Sequence, residues 1–202
     1  LAFELAERYR TLVMIAGDGA IGQMMEAAEL PPMQPVRTSR PEWAVTGAEG
    51  RDPNLVTSLY LGADNLEALN LRLQKKLRRI QENEVRYETQ QVDDADLLLV
   101  AYGTAGRVCL SVMRNARREG IKVGLLRPQT LWPLAEEQLA GLAEKVKGML
   151  VVEMSAGQML EDVRRAVSGR VPVRFHGRMG GAIPMVDEVF DDLKALAQDV
   201  AA

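Results

Sequence analysis

A mostly parallel α/β sheet in three layers, covered by helices on both faces, is the fold this sequence predicts, and three observations carry it. Between Asp96 and Val167 three short apolar runs alternate with amphipathic helical patterns. The links between them are short, and consecutive parallel strands need crossovers that are usually helical. With 202 residues, 47% of them hydrophobic, the chain can also bury a full core.

Taken in order, Leu1 to Arg10 reads as the end of an amphipathic helix, and the chain, which starts without Met, reads as a fragment or a processed product. Thr11-Leu-Val-Met-Ile-Ala16 follows as a strand, its unbroken apolar run suiting burial on both faces. Gly17-Asp-Gly19 ends that strand. A short helix is predicted over Ala20 to Glu29, stopped by Pro31 and Pro32. Pro35, Pro41, Gly47, Gly50 and Pro53 punctuate the boundary beyond it, with Trp43 and Val45 as anchors for the loop. Leu66, Leu69, Leu73, Leu77 and Ile80 predict a long helix from Asn65. Its other face carries Lys75, Lys76, Arg78 and Arg79, a solvated face or a surface for an acidic partner or phosphate.

The second domain opens with the strand Ala95 to Tyr102, turns at Gly103 and enters a helix that Thr104 is placed to cap. Arg117 and Arg118 complement the negative end of that helix, and Gly120 supplies a left-handed stop before a strand from Ile121 to Leu126. Pro133 is predicted as the first residue of the next helix, with Leu139, Leu142, Ala143 and Val146 as its buried stripe. The strand Met149 to Glu153 comes next. Ser155 and Gln158 have the spacing of a capping box for a helix whose core face is Ala156, Leu160, Val163 and Val167. A fourth strand, Val171 to Phe175, leads through Gly177-Arg-Met-Gly-Gly181 to a last helix burying Val186, Val189, Phe190, Leu193 and Leu196. The domains expected are residues 1–47, a linker with connecting helix over 48–94, and 95–202.

Composition narrows the function classes. The net charge of -3 and the pI of about 5.4 provide no field to gather nucleic acid or an anionic membrane. Cys109 is the one cysteine and sits on a helix face with Ala105, Val108, Val112 and Ala116, so it packs in the core. One thiol forms no disulfide within the chain and no cluster for zinc or for iron and sulfur. No apolar run reaches the ~20 residues of a membrane span, and no signal-peptide pattern is present, so a soluble cytoplasmic setting is expected.

Candidate chemistry is sparse. Gly17-Asp-Gly-Ala-Ile-Gly22 matches G-x-G-x-x-G after a strand, with Glu42 near the position of a ribose-binding acid. The prolines that follow deny that motif the full helix whose N-terminus would hold a pyrophosphate. Gly17-Asp-Gly19 also resembles the metal-diphosphate motif of thiamine enzymes, but no Asn-Asn pair follows. His176 ends a strand, where parallel sheets place functional groups, yet no partner stands near it in sequence. Glu153 ends another strand and could face a ligand or partner. Gly180 and Gly181 with Arg178 could bind an anion or simply form a tight turn. No catalytic residue and no metal ligand can be assigned. From the residues alone this is a parallel α/β domain with part of another before it, open to a stand-alone nucleotide-binding or scaffold module as well as to a subunit.

Five stretches together resemble the alpha subunit of 2-oxoacid:ferredoxin oxidoreductases, the 2-oxoisovalerate and 2-oxoglutarate types above all, in its C-terminal portion. They are Gly17 to Glu26, Val100-Ala-Tyr-Gly-Thr104, Gly120 to Pro133 with its Arg-Pro-Gln-Thr-Leu-Trp-Pro run, Val152 to Arg164, and Gly177 to Gly181. Gly17 stands where the family commonly has serine. The resemblance implies a three-layer transketolase C-terminal-like domain over 95–202, preceded over 1–47 by the end of a thiamine pyrimidine-binding α/β domain. It implies a complex that decarboxylates a 2-oxoacid oxidatively on thiamine diphosphate with Mg, passes electrons through iron-sulfur clusters to ferredoxin, and delivers the acyl group to coenzyme A. The cofactors would sit with a thiamine-binding beta subunit and an iron-sulfur gamma or delta subunit, and none on this chain. Asp18, Gln23 and Glu26 in one loop and Arg178 and Gly180 in another are the expected partner-facing residues. A truncated transketolase-type enzyme with a sugar acceptor shares the same fold.

Overall fold

The computed structural model describes residues 1–36 and 39–201. They divide into two compact units, Leu1–Ile15 with Met25–Arg79, and Ala16–Met24 with Ile80–Ala202.

In the first unit, helix α1 (Ala2–Tyr9) ends on Arg10 in the left-handed conformation. Lys76 Nζ donates to the Arg10 carbonyl at 3.0 Å, the Arg10 guanidinium lies 5.3 Å from the Trp43 ring centroid, and that of Arg79 lies 5.8 Å from Tyr9. Trp43 thus anchors its loop, whereas Val45, expected beside it, is 70% exposed, and Asn54 braces the loop by donating to the carbonyls of Glu42 and Ala44 at 2.7 and 3.0 Å.

Two expectations for the early part of the chain are corrected. Thr11 to Ala16 is no strand: Leu12, Met14 and Ile15 are 97%, 88% and 83% exposed. An apolar strand needs hydrogen-bonded neighbours on its edges, and none of the described residues supplies one. The helix expected to Glu29 is shorter, α2 (Gly19–Gln23), started by Asp18, whose carboxylate accepts from the Ile21 N–H at 2.9 Å. The long helix is present as α3 (Ala63–Asn83), but Leu66 and Leu73 on its predicted stripe stay exposed and Ile80 alone is fully buried.

The second unit is a five-stranded sheet between two helical layers. Strand β1 (Tyr87–Gln90) is followed by β2 (Leu97–Ala101), α4 (Gly103–Arg118), β3 (Val123–Pro128), α5 (Glu136–Ala143), β4 (Gly148–Glu153), α6 (Gln158–Val167), β5 (Val173–Gly177) and α7 (Val186–Asp199). The strand order is β1-β3-β2-β4-β5, parallel except for β1. β2 and β4 are central and buried on both faces, so their sequences read as unbroken apolar runs. Alternation still divides them: Leu98, Val100, Met149 and Val151 pack under α5 and α6, while Leu97, Leu99, Leu150 and Val152 pack under α4 and α7. The Cys109 thiol lies in this second layer, fully buried.

Four strands were expected in this unit and all are found, with β3 and β5 starting two residues later than their apolar runs. The Ile121 N–H is still satisfying the end of α4, through the Ala116 carbonyl at 2.9 Å. The antiparallel edge β1 was not expected, because Tyr-Glu-Thr-Gln carries no apolar alternation. It is held through its partner: Glu88 accepts from Arg127 on β3 at 2.6 Å and from Gln129 at 2.6 Å. The helix expected from Pro133 begins only at Glu136, because Thr130 Oγ1 donates to the Pro133 carbonyl at 2.7 Å and holds Leu131 to Ala135 in a loop.

Candidate functional site

The connections fix where this sheet could hold a ligand. From β2 the chain passes through α4 to β3 on one side, then through α5 across to β4 on the other, so the order reverses between β2 and β4. Such sheets bind ligands in the crevice outside the carboxyl ends of the strands at this reversal, with the helix N-termini there offering free N–H groups and a positive dipole end. The relevant helix starts are those of α4, after β2, and α6, after β4.

Both are filled by the chain's own carboxylates. At α4, Asp18 Oδ2 accepts from the Thr104 N–H at 3.0 Å and Oδ1 from the Thr104 hydroxyl at 2.9 Å. Thr104 therefore does not cap its helix, as expected from sequence, but hands its donors to Asp18. Gly103 makes the approach possible, with φ at 58° and only 2.9 Å between Asp18 Oδ2 and the place a Cβ would take. Burial opposes ionisation of Asp18, and the hydrogen bonds from Ile21 and Thr104 outweigh it, holding the carboxyl below its ordinary value.

At α6 the predicted capping box is replaced by a different device. The N-cap is Gly157, with φ at 104°, which has no side chain to offer. Glu153, 0% exposed at the end of β4, reaches across instead: Oε2 accepts from the Met159 N–H at 3.2 Å and Oε1 from the Leu160 N–H at 3.1 Å. The Ser155 hydroxyl donates to the same carboxylate, and Gln158 Oε1 accepts from the Ala156 N–H at 3.1 Å. A fully buried carboxylate with this many donors is satisfied within the fold. Ala156, expected in the core, is exposed on the turn.

A second cluster forms at the end of β5. His176 Nδ1 lies 2.7 Å from Asp192 of α7, and Glu188 Oε1 accepts from Arg178 at 3.2 Å while Oε2 accepts from the Met185 N–H at 3.2 Å. The Arg178 N–H donates to the Glu153 carbonyl at 3.2 Å, tying the ends of β4 and β5 together. These contacts make His176 a tie between β5 and α7. No sequence pattern points to Asp192 and Glu188 as its neighbours, since they lie on a helix more than ten residues away.

Of the five residues expected to face partners, Asp18 turns inward to α4, Gln23 is exposed on α2, and Glu26 lies in the extended segment beyond α2, within the first unit. Arg178 pairs with Glu188, and Gly180, at φ 67°, stands in an exposed turn. Among the described residues no hydrogen bond or ion pair joins the Asp18 loop to the Arg178 loop. No three His, Cys, Asp or Glu side chains among them stand together as metal ligands, and burial drives the lone Cys109 thiol strongly away from ionisation. These residues do not fit an iron-sulfur cluster, and with both helix starts already filled they do not form a diphosphate cradle. The stand-alone nucleotide-binding reading loses its site here. No helix among the described residues is long and apolar enough to cross a membrane.

Residues 95–189 match the pyruvate:ferredoxin oxidoreductase core domain II. The ketoisovalerate oxidoreductase subunit VorB of Methanothermobacter thermautotrophicus is 44% identical over 198 residues, covering 98% of this chain and 56% of that protein. The 2-oxoglutarate synthase subunit KorA of Methanothermobacter marburgensis is 31% identical over 223 residues, covering 96% of this chain and 59% of its own length. The chain thus spans little more than half of the curated relatives it matches. In fold it is similar to the 2-oxoglutarate:ferredoxin oxidoreductase from Magnetococcus marinus, with a TM-score of 0.61 at 20% identity over 75% of this chain and 26% of that one. A split-gene transketolase aligns with a TM-score of 0.51 at 18% identity over 56% of this chain and 41% of that one, so the transketolase-like sheet is shared. By these similarities residues 95–189 resemble core domain II of pyruvate:ferredoxin oxidoreductases, and the chain is similar to part of the subunits of ketoisovalerate and 2-oxoglutarate oxidoreductases.

Proposed function

We propose that this chain is the C-terminal portion of the alpha subunit of such an enzyme and serves its assembly, while the reaction centre lies on other parts of the complex. Residues 1–47 end a pyrimidine-binding domain, 48–94 connect, and 95–202 form the supporting domain. The complex converts a 2-oxoacid to its acyl-coenzyme A with electrons passed to ferredoxin, in the cytoplasm. Thiamine diphosphate and Mg belong to a beta subunit, and the iron-sulfur clusters to a gamma or delta subunit.

The observation that carries this reading is the internal occupation of both helix starts at the sheet reversal, by Asp18 and by Glu153. Carboxylates of the chain itself stand where a bound phosphate would take its N–H donors, which favours a supporting role over a cofactor site. The 44% identity to a ketoisovalerate oxidoreductase subunit supports a branched-chain substrate over the other 2-oxoacids.

Coexpression of the full-length subunit with its candidate partners tests it. The complex is expected to reduce methyl viologen in the presence of a branched 2-oxoacid and coenzyme A, and this chain alone is expected to be inactive. Gln23→Ala or Arg178→Ala, in the partner-facing loops, should lower the yield of complex or its turnover. Unchanged assembly and turnover in both variants, or activity of the chain alone, would overturn the proposal.

A further inference from the structure

The Arg-Pro-Gln-Thr-Leu-Trp-Pro run has no part in either helix start, yet it helps to shape a groove of the second unit. This groove, of about 890 Å³, runs between the end of α3, the start of β1, the loop before α5, and α6. Pro133, Leu134 and Ala135 form a buried floor. On the rim Trp132 is 56% exposed and is flanked by Leu131 and Tyr87, both more than a third exposed. A large aromatic is costly to leave in water on an otherwise close-packed unit, and exposed apolar groups rimmed by polar ones mark interaction surfaces.

The charge on the walls is one-sided. Glu82, Glu136, Glu137 and Asp162 face the groove against a single cation, Arg165. Arg165 bridges Glu136 at 2.9 Å and Asp162 at 3.1 Å. Glu82 and Glu137 are left without an ion pair among the described residues. A groove that carries an exposed aromatic ring and two carboxylates without an ion pair suits a guanidinium or ammonium, which gains from a ring quadrupole and from negative charge.

We propose that this groove docks an extended basic segment of another polypeptide, a cationic side chain lying over Trp132 toward Glu82 and Glu137 and an apolar side chain seated against Leu131 and Tyr87. The occupant is chosen by charge complementarity and by form. The groove's aromatic and proline lining is the kind of surface that takes up extended segments. The proposal adds to the assembly role the chemistry of one contact, and its test does not depend on which 2-oxoacid the complex uses or on its turnover.

With Trp43→Phe as background, Trp132 is the remaining tryptophan of this sequence and reports on the groove directly. The probe is a synthetic peptide alternating arginine with leucine and proline, compared with its glutamate counterpart and with arginine amide. Saturable change in Trp132 fluorescence is expected with the basic peptide alone, and its Kd should rise at least about fivefold between 0.05 and 0.5 M NaCl, since salt screens exposed charges. The double variant Glu82→Lys, Glu137→Lys, at two exposed positions, should keep the melting temperature and weaken binding about tenfold. Equal response to the acidic peptide, insensitivity to salt, wild-type binding by the double variant, or no response at all would overturn the proposal. Arginine amide binding as tightly as the peptide would also overturn it, by making the groove a site for a free small cation.

Discussion

Glu153 and Asp18 do similar work at two helix starts, but they answer to different tests. Glu153 is wholly buried, and its oxygens serve two backbone N–H groups and one hydroxyl. Glu153→Ala strands those donors and should cost about 2–4 kcal/mol, read as a lower urea midpoint at unchanged slope. Glu153→Gln places an amide N–H₂ where donors already converge and should recover less than half of that loss. Asp18 is partly open to water, so pH is the better probe. Its folded-state value lies below the ordinary 3.8, so its contribution is complete above that value and fades as pH falls through the depressed one. The stability gap between the native protein and Asp18→Asn should therefore be constant from pH 7 to 5 and close below about pH 3.8. A gap that stayed open in acid would mean that shape and not charge holds the loop. Cys109, buried and held in its thiol form, should react with a disulfide reagent only as fast as the protein unfolds, whereas labelling at native rates would contradict its place in the core.

Elements show where sequence periodicity is enough and where it is not. Val151 and Leu150 belong to a strand paired on both sides and covered on both faces, and Val151→Ala or Leu150→Ala should cost about 1.5–4 kcal/mol in equilibrium unfolding. Those strands, α4, α6 and α7 were legible because one face or both must be apolar and the chain must turn at glycine. β1 was illegible for the opposite reason: its residues are polar, and it exists through Glu88, Arg127 and the backbone of β3. Thr11 to Ala16 looked like a strand because propensity is local, whereas strand formation needs partners. The capping box at Ser155 and Gln158 had the right spacing, and a stronger acceptor seven residues before Leu160 displaced it. The same limit hid the candidate site. Asp18 and Thr104 are 86 residues apart, and no spacing rule joins them.

For the molecule as a whole, the two units contrast in how they treat apolar surface. Nearly every large apolar side chain of the sheet is buried, while Met25, Leu30, Met33 and Leu61 are each at least 90% exposed. The purified chain should bind the dye ANS and associate with itself in a concentration-dependent way, and coexpression with partner subunits should suppress both. A monodisperse, dye-silent chain would sink the assembly reading. The plugged helix starts bear on its chemistry in a cell. A phosphate-carrying metabolite approaching the starts of α4 and α6 would meet carboxylates of the same polypeptide on the N–H groups that would otherwise grip it.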